Sequence, residues 1–131
     1  MDVDQIAKLK KISQQLRKSV IRELSEAGSG HSAGCLGFAD VMAVLYFHAM
    51  RLDPDNPNWE DRDIFVMSNG HYAPLLYATL AERGFFYKKE LANLRKFDSK
   101  LQGHPERGSL AGIETTSGPL GCGLSQAAGM A

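Results

Sequence analysis

One short apolar run, Asp63-Ile64-Phe65-Val66-Met67-Ser68, closed by Asn69-Gly70, limits the fold more than any other feature. It reads as a buried strand, and no second convincing strand occurs in the chain. A lone strand leaves its amides and carbonyls unpaired, so it must join a sheet supplied by something else. A helical pattern follows directly. Strand, glycine turn and helix together form the opening unit of an α/β fold, in which ligands sit at the carboxyl ends of the strands. The expected fold class is therefore α/β: the opening helices and first strand of a parallel-sheet domain that continues beyond residue 131.

The remaining segments read as helices and breakers. Over residues 4–27, Ile6, Leu9, Ile12, Leu16, Val20 and Leu24 recur every three or four positions, with Lys and Arg on the other faces. Asp4 is the expected N-cap and Gly28 the expected stop. Residues 38–50 carry Val41, Met42, Val44, Leu45, Tyr46 and Phe47, an all-round apolar helix that several neighbours should bury. His48 lies in that helix without a glycine hinge and reads as structural. Residues 52–59 are rich in Pro, Asp and Asn and form a loop. Helices are expected over 74–83, stopped by Gly84, and over 88–97, packing through Leu91, Leu94 and Phe97. A last one starts at Pro119 and runs to Ala131 without a cap.

Lys plus Arg and Asp plus Glu both number 15. That balance gives no reason to expect nucleic acid or an anionic membrane as partner. The longest apolar run, 41–47, is far short of the roughly 18 residues that span a bilayer. Residues 1–4 are acidic and unlike a signal peptide. Two cysteines, Cys35 and Cys122, make no disulfide framework and fit a reducing compartment. A soluble cytoplasmic protein is expected.

Three histidines are fenced by glycine or proline: Gly30-His31-Ser32, Asn69-Gly70-His71 and Gly103-His104-Pro105. A glycine-rich helix start, Ser117-Gly118-Pro119-Leu120-Gly121, follows them. Glycine admits close backbone approach and positive φ, so histidines hinged on it are aimed into a cleft. His31, His71 and His104 are expected to converge near the carboxyl end of the strand.

At these motifs the sequence resembles transketolase, in particular the amino-terminal subunit of the two-subunit bacterial form. The carriers are Gly30-His31, Met50-Arg51-Leu52-Asp53-Pro54, residues 61–71, Leu101-Gln102-Gly103-His104-Pro105-Glu106 and Gly118-Pro119-Leu120-Gly121. Residues 1–131 would then be the amino-terminal portion of a diphosphate-binding domain. The resemblance implies thiamine diphosphate as cofactor and transfer of a two-carbon ketol unit between sugar phosphates, in the pentose phosphate pathway. The cofactor would supply the carbanion chemistry and the protein the positioning and proton handling. His31 and His104 would be the catalytic histidines, hydrogen-bonding the sugars and moving protons, a task that suits a free imidazole pKa of about 6.5. His71 would face the diphosphate, while Gly118, Pro119 and Leu120 would hold the aminopyrimidine and thiazolium rings. The partner implied is a carboxy-terminal transketolase subunit, in a two-fold symmetric hetero-oligomer.

The sequence also departs from the family. Ser32 stands where many transketolases have proline, Cys35 and Phe38 alter a glycine-rich stretch, and Cys122 replaces a common glutamine. The Gly-Asp-Gly motif that holds magnesium in the family has no counterpart through Ala131, so the metal ligands are expected later in the chain. Taken alone, these residues should bind the cofactor poorly, transfer no ketol, and expose apolar surface that a partner would cover. The rival readings are three. One is a zinc protein using His31, Cys35, His71, His104 or Cys122, which lacks paired short ligand spacings. Another is a non-catalytic truncated remnant. The third is another thiamine enzyme, a deoxyxylulose-phosphate synthase or a 2-oxo-acid dehydrogenase component.

Overall fold

The computed structural model describes residues 1–131 and contains helices and loops with no strand. Four α-helices occur: α1 (Val3–Ala27), α2 (Ala33–Val44), α3 (Ala73–Arg83) and α4 (Cys122–Met130). A π-helical turn, Leu45–Ala49, extends α2, and 3-10 turns cover Gly70–Tyr72 and Lys88–Asn93.

Helix α1 begins one residue earlier than its apolar spacing suggests. Asp2, rather than Asp4, is the N-cap, its Oδ1 accepting from the Gln5 amide at 2.7 Å. Gly28 ends the helix at φ 65°, and its N–H donates to the Leu24 carbonyl. That left-handed turn suits glycine. Leu9, Leu16 and Val20 are buried as expected, whereas Ile6 is exposed.

Helix α2 starts at Ala33, not at 38, because the backbone turns directly after Gly30-His31 and the Ser32 carbonyl accepts from Leu36 at 2.9 Å. It is not buried on every side. Cys35, Ala39, Met42 and Ala43 face the core while Val41 is exposed. The helix buried all round is α3 instead, where every residue from 73 to 81 is buried. The small residues Ala73, Ala78 and Ala81 are interspersed with larger ones there, so α1, α2 and the turn at Lys88–Asn93 can all pack onto it. Gly84 closes α3 at φ 107°, as its position predicts.

Two further expectations are corrected. Residues 88–97 do not form an α-helix. The 3-10 turn stops at Asn93, Arg95 and Asp98 take positive φ, and the Arg95 amide pairs with the Leu101 carbonyl. Leu91 and Leu94 are buried, but Phe97 is fully exposed. Helix α4 begins at Cys122, because Gly121 at φ 89° breaks the helical path from Pro119.

The predicted strand is the main correction. Residues 63–67 are not paired with any strand, and Ile64 is exposed. Strand hydrogen bonds need a neighbour, and every other segment able to bond has become helix or loop. The α/β sheet is therefore absent from these 131 residues. The segment is held from its ends instead. The Arg51 amide donates to Asp63 Oδ2 at 2.7 Å, and Asp63 donates its own amide to the Arg51 carbonyl at 3.0 Å. At the other end, Met67 is buried and its carbonyl accepts from Ser117 Oγ at 2.5 Å.

Polar contacts clamp the helices. Arg17 on α1 forms a two-point pair with Asp40 on α2, Nη2 to Oδ2 at 2.8 Å, and Nε donates to the Leu36 carbonyl. Arg17 and Ser13 hold the Asp40 carboxyl down to about 2. Glu23 is the opposite case. It is 1% exposed, neither carboxylate oxygen has a hydrogen-bond partner, and burial pushes its pKa up to about 9. No helix is long and apolar enough to cross a membrane.

Candidate functional site

The site lies where the loops meet, at the ends of α1, α2 and α3. His31 sits in the five-residue link from Gly28 to Ser32, so the sharp exit of α1 and the start of α2 fix where it projects. Gly30 takes φ 134° in that link, a conformation that L side chains rarely adopt. His71 is the middle residue of the 3-10 turn that launches α3, with the Tyr72 amide donating to the Asn69 carbonyl at 2.8 Å. The two imidazoles meet edge to face, their centroids 5.1 Å apart. His31 is exposed and His71 half-buried. The structure thus joins two of the three histidines that the glycine pattern singles out.

The third lies in a loop bound to the same place by backbone. Tyr77 on α3 donates its hydroxyl to the Gln102 carbonyl at 2.9 Å, and the His104 carbonyl lies 3.5 Å from that hydroxyl. Pro105 is buried, and its carbonyl accepts from the Ser117 amide at 3.1 Å. The imidazole of His104 itself is exposed. No direct contact joins it to His31 or His71, so the three side chains form a pair and a neighbour rather than a closed cluster.

Ser117 is the knot of this arrangement. Its amide bonds to Pro105, its hydroxyl bonds to Met67, and its carbonyl packs on Gly70. A Cβ on Gly70 would overlap the Ser117 carbonyl oxygen and come within 3.0 Å of the Gly118 nitrogen. Gly70 is therefore glycine for close approach of backbone to backbone, not for its dihedral angles. Gly123 works the same way. A Cβ there would meet Ser68 Cα at 2.7 Å, and the Gly123 amide donates to Ser68 Oγ at 3.1 Å. Two glycines thus press α4 and the 117–118 loop onto residues 68–70. Ser117, Ser68 and Gly123 stand out in this role only once the loops are folded together. The signal available was the Gly-Cys-Gly spacing at 121–123.

Gly118 behaves differently from Gly70. A Cβ at Gly118 would meet nothing within 4 Å, and Pro119 and Leu120 beside it are exposed. The three residues expected to hold cofactor rings form an open ledge adjoining the Gly70-His71 turn. No group of three or more His, Cys, Asp or Glu side chains is placed to hold a metal ion. Cys35 is buried, its thiol pushed up to about 11 by desolvation, and Cys122 is exposed and free. These placements give the zinc reading no ligand set. His48 is apart from the site and accepts from Gln5 Nε2 at 2.8 Å on Nδ1.

A half-buried ion pair supports the loops from below. Arg62 meets Glu114 through two contacts of 3.1 and 2.9 Å, tying the approach to residues 63–67 to the approach to Ser117. Both side chains are less than a fifth exposed, so the pair is shielded from solvent on most sides.

Residues 8–131 match the family described as transketolase, thiamine diphosphate binding domain. The chain is 47% identical to the transketolase of Mus musculus over 133 residues, covering 99% of this chain and 21% of that protein. Against transketolase 1 of Escherichia coli it is 43% identical over 123 residues, covering 93% and 19%. Among solved structures, transketolase from Leishmania mexicana superposes with a TM-score of 0.90 at 37% identity, covering 93% of this chain and 18% of that one. Transketolase from Campylobacter jejuni gives 0.86 at 38% identity, covering 98% and 20%. The chain thus spans about a fifth of the length of these relatives. The several motifs in order, the helical arrangement around them and these matches agree: the chain belongs to the transketolase family, within its thiamine diphosphate-binding domain.

Proposed function

We propose that these residues form the opening part of a domain that binds thiamine diphosphate with magnesium and transfers a two-carbon ketol unit between sugar phosphates. The observation that carries the reading is the His31–His71 contact beside the open ledge at Gly118. The reading is supported by the packing of the 117–118 loop against Gly70, next to the His71 imidazole. When bound, thiamine diphosphate would supply a carbon nucleophile able to hold the two-carbon unit. Gly118, Pro119 and Leu120 would receive its rings on the ledge, and His71 would donate to a diphosphate oxygen. His31 and His104, both exposed, would hydrogen-bond sugar hydroxyls. They would take or return a proton at the oxygen where charge develops, which an imidazole does well near neutral pH.

Residues 63–67, with no strand partner here, would become the first strand of a parallel sheet completed by later residues. The magnesium ligands would likewise come from those residues, because a hard cation needs an oxygen cluster that residues 1–131 do not assemble. A carboxy-terminal transketolase subunit is the proposed partner, in a two-fold symmetric assembly, in the cytoplasm.

Calorimetry with magnesium and thiamine diphosphate on the full chain tests the proposal, followed by a ketol-transfer assay with the partner subunit present. Saturable binding is expected, and His104→Ala should lower turnover more than it lowers cofactor affinity. A full chain that folds but binds no thiamine diphosphate would overturn the proposal.

A further inference from the structure

Beside the histidine pair lies an aromatic side chain that the proposed chemistry does not use. Tyr72 follows His71 directly, is half-buried, and packs its ring edge to face with the His71 imidazole at 4.6 Å between centroids, 80° between planes. Its other neighbours are on α2. Phe38 lies 6.3 Å away, centroid to centroid, and Gly34, one turn earlier, lies beneath the ring. A Cβ on Gly34 would overlap Tyr72 at Cε1, Cζ and Oη at once. Gly34 carries no positive φ, so its backbone does not require glycine. Glycine is also a poor helix former inside the first turns of a helix, and alanine would suit α2 better on local grounds. What Gly34 provides is space, and the Tyr72 ring occupies it.

We propose that Tyr72 is a positioning residue for the His31–His71 pair, and that Gly34 is the gap in α2 that lets it act. The ring is fixed by Gly34 and Phe38 on one side and bears on His71 on the other. His71 in turn meets His31 at 5.1 Å. A helix start, an aromatic wedge and two imidazoles therefore form one packed series, in which α2 sets the rotamer of His71 through Tyr72. Packed groups transmit such displacement because interiors have little slack. Residues that act through others to hold a reacting group can matter strongly, since a misplacement of about 1 Å can cost about a hundredfold in rate.

The proposal rests on the cofactor reading above for its consequence, but its geometry is tested without any cofactor. In the full chain labelled with 13C-histidine, the His71 ring protons should carry a ring-current shift from Tyr72. Tyr72→Leu should abolish that shift and move the His31 resonances as well, whereas Tyr72→Phe should keep both. Gly34→Ala should displace the ring and change the His71 resonances in the parent protein. In the Tyr72→Leu background the same substitution should change them little, because the obstacle is gone. Gly34→Ala and Tyr72→Leu should each also weaken thiamine diphosphate binding by about tenfold, and Tyr72→Phe by less than about twofold. His71 resonances indifferent to Tyr72→Leu would overturn the proposal, as would Gly34→Ala acting equally in both backgrounds. Should Gly34→Ala fail to fold, the comparison of Tyr72→Leu with Tyr72→Phe decides alone. A parent protein that binds no thiamine diphosphate, yet shows these resonance changes, would overturn the cofactor reading and leave the positioning role standing.

Discussion

The helical core and the loop system solve the same problem in opposite ways. In α1, α2 and α3 the backbone amides beyond the first turn find their partners within the helix, and the apolar faces of all three meet around the buried stretch 73–81. In the loops, residues 63–67 have no partner strand, and the segments 68–72, 103–105 and 116–123 are joined by a few specific bonds centred on Ser117. The core is redundant, with many contacts each of small weight. The loops are sparse, with few contacts each decisive. The residues with chemistry to offer all lie in the sparse part. Site residues gain freedom to approach a ligand there, and the rigid helices beneath fix where they start.

Damage to the core should give the largest effect. Leu16 on α1 is fully buried in the central cluster. Leu16→Ala is expected to destabilise the fold by about 3 kcal/mol, the transfer and cavity cost of a buried leucine. Denaturant unfolding followed by two probes, one in the core and one near His71, should show both moving together. A loss confined to one probe would break the contrast between redundant core and sparse loops.

The core also holds a flaw, and relieving it should produce a gain of about 2 kcal/mol. The carboxyl of Glu23 has no hydrogen-bond partner and a pKa pushed from 4.5 up to about 9 by desolvation. The folded chain therefore keeps a proton that the unfolded chain releases above about 4.5. Its contribution is fully present below pH 4.5, declines as the pH rises toward 9 and is lost beyond it. Glu23→Leu should remove that slope and stabilise the fold at pH 8 by about 2 kcal/mol, because a buried carboxyl without a hydrogen-bond partner is replaced by an apolar side chain. Melting curves at pH 5, 7 and 9 check it. A parent protein whose stability is level across that range would refute the assignment.

In the loops the corresponding change is Ser117→Ala. Ser117 is buried, and removing its hydroxyl leaves the Met67 carbonyl without its donor, at an expected cost of about 1.5 kcal/mol. The loss should be local. Hydrogen exchange at residues 68–72 and 117–123 should quicken while amides of α1 and α3 keep their protection. Equal loss throughout would show the loops to be part of one cooperative unit with the core.

What the sequence made legible follows this same division. Helices α1 and α3 and the stops at Gly28 and Gly84 can be read from spacing alone, because each depends on residues within one or two turns. The motifs around Gly30-His31, Gly103-His104 and Gly118 also identify the family. Residues 63–67 have the composition of a strand, yet pairing is a property of two segments and only one is here. The roles of Gly34, Gly70 and Gly123 were hidden for a related reason. Each is glycine because of a group distant in sequence: Tyr72, Ser117 and Ser68 respectively. Glu23 falls on a helix where its neighbours at 16 and 20 are apolar and buried, but periodicity alone does not reveal a carboxyl left without a partner.

The smallest effect should come from Phe97, and it tests the boundary between the two regions. By spacing with Leu91 and Leu94, Phe97 would complete an apolar helical face and belong to the core. Instead the chain leaves helical geometry at Leu94, where ψ reaches 125°, and Arg95 and Asp98 take positive φ. The turn is held by the Arg95 amide on the Leu101 carbonyl and carries Phe97 out of the core. A fully exposed side chain has no packing to lose, so Phe97→Ser should change stability by no more than about 0.5 kcal/mol. Leu94→Ala three residues earlier, at a buried position, should cost about 2 kcal/mol or more, and the pair measured together isolates the turn. Equal costs at the two positions would mean that residues 88–97 continue as a helix in solution, with Phe97 packed on the core. The boundary would then move past Asp98, and the positive φ at Arg95 could not be the feature that separates the helical core from the loops.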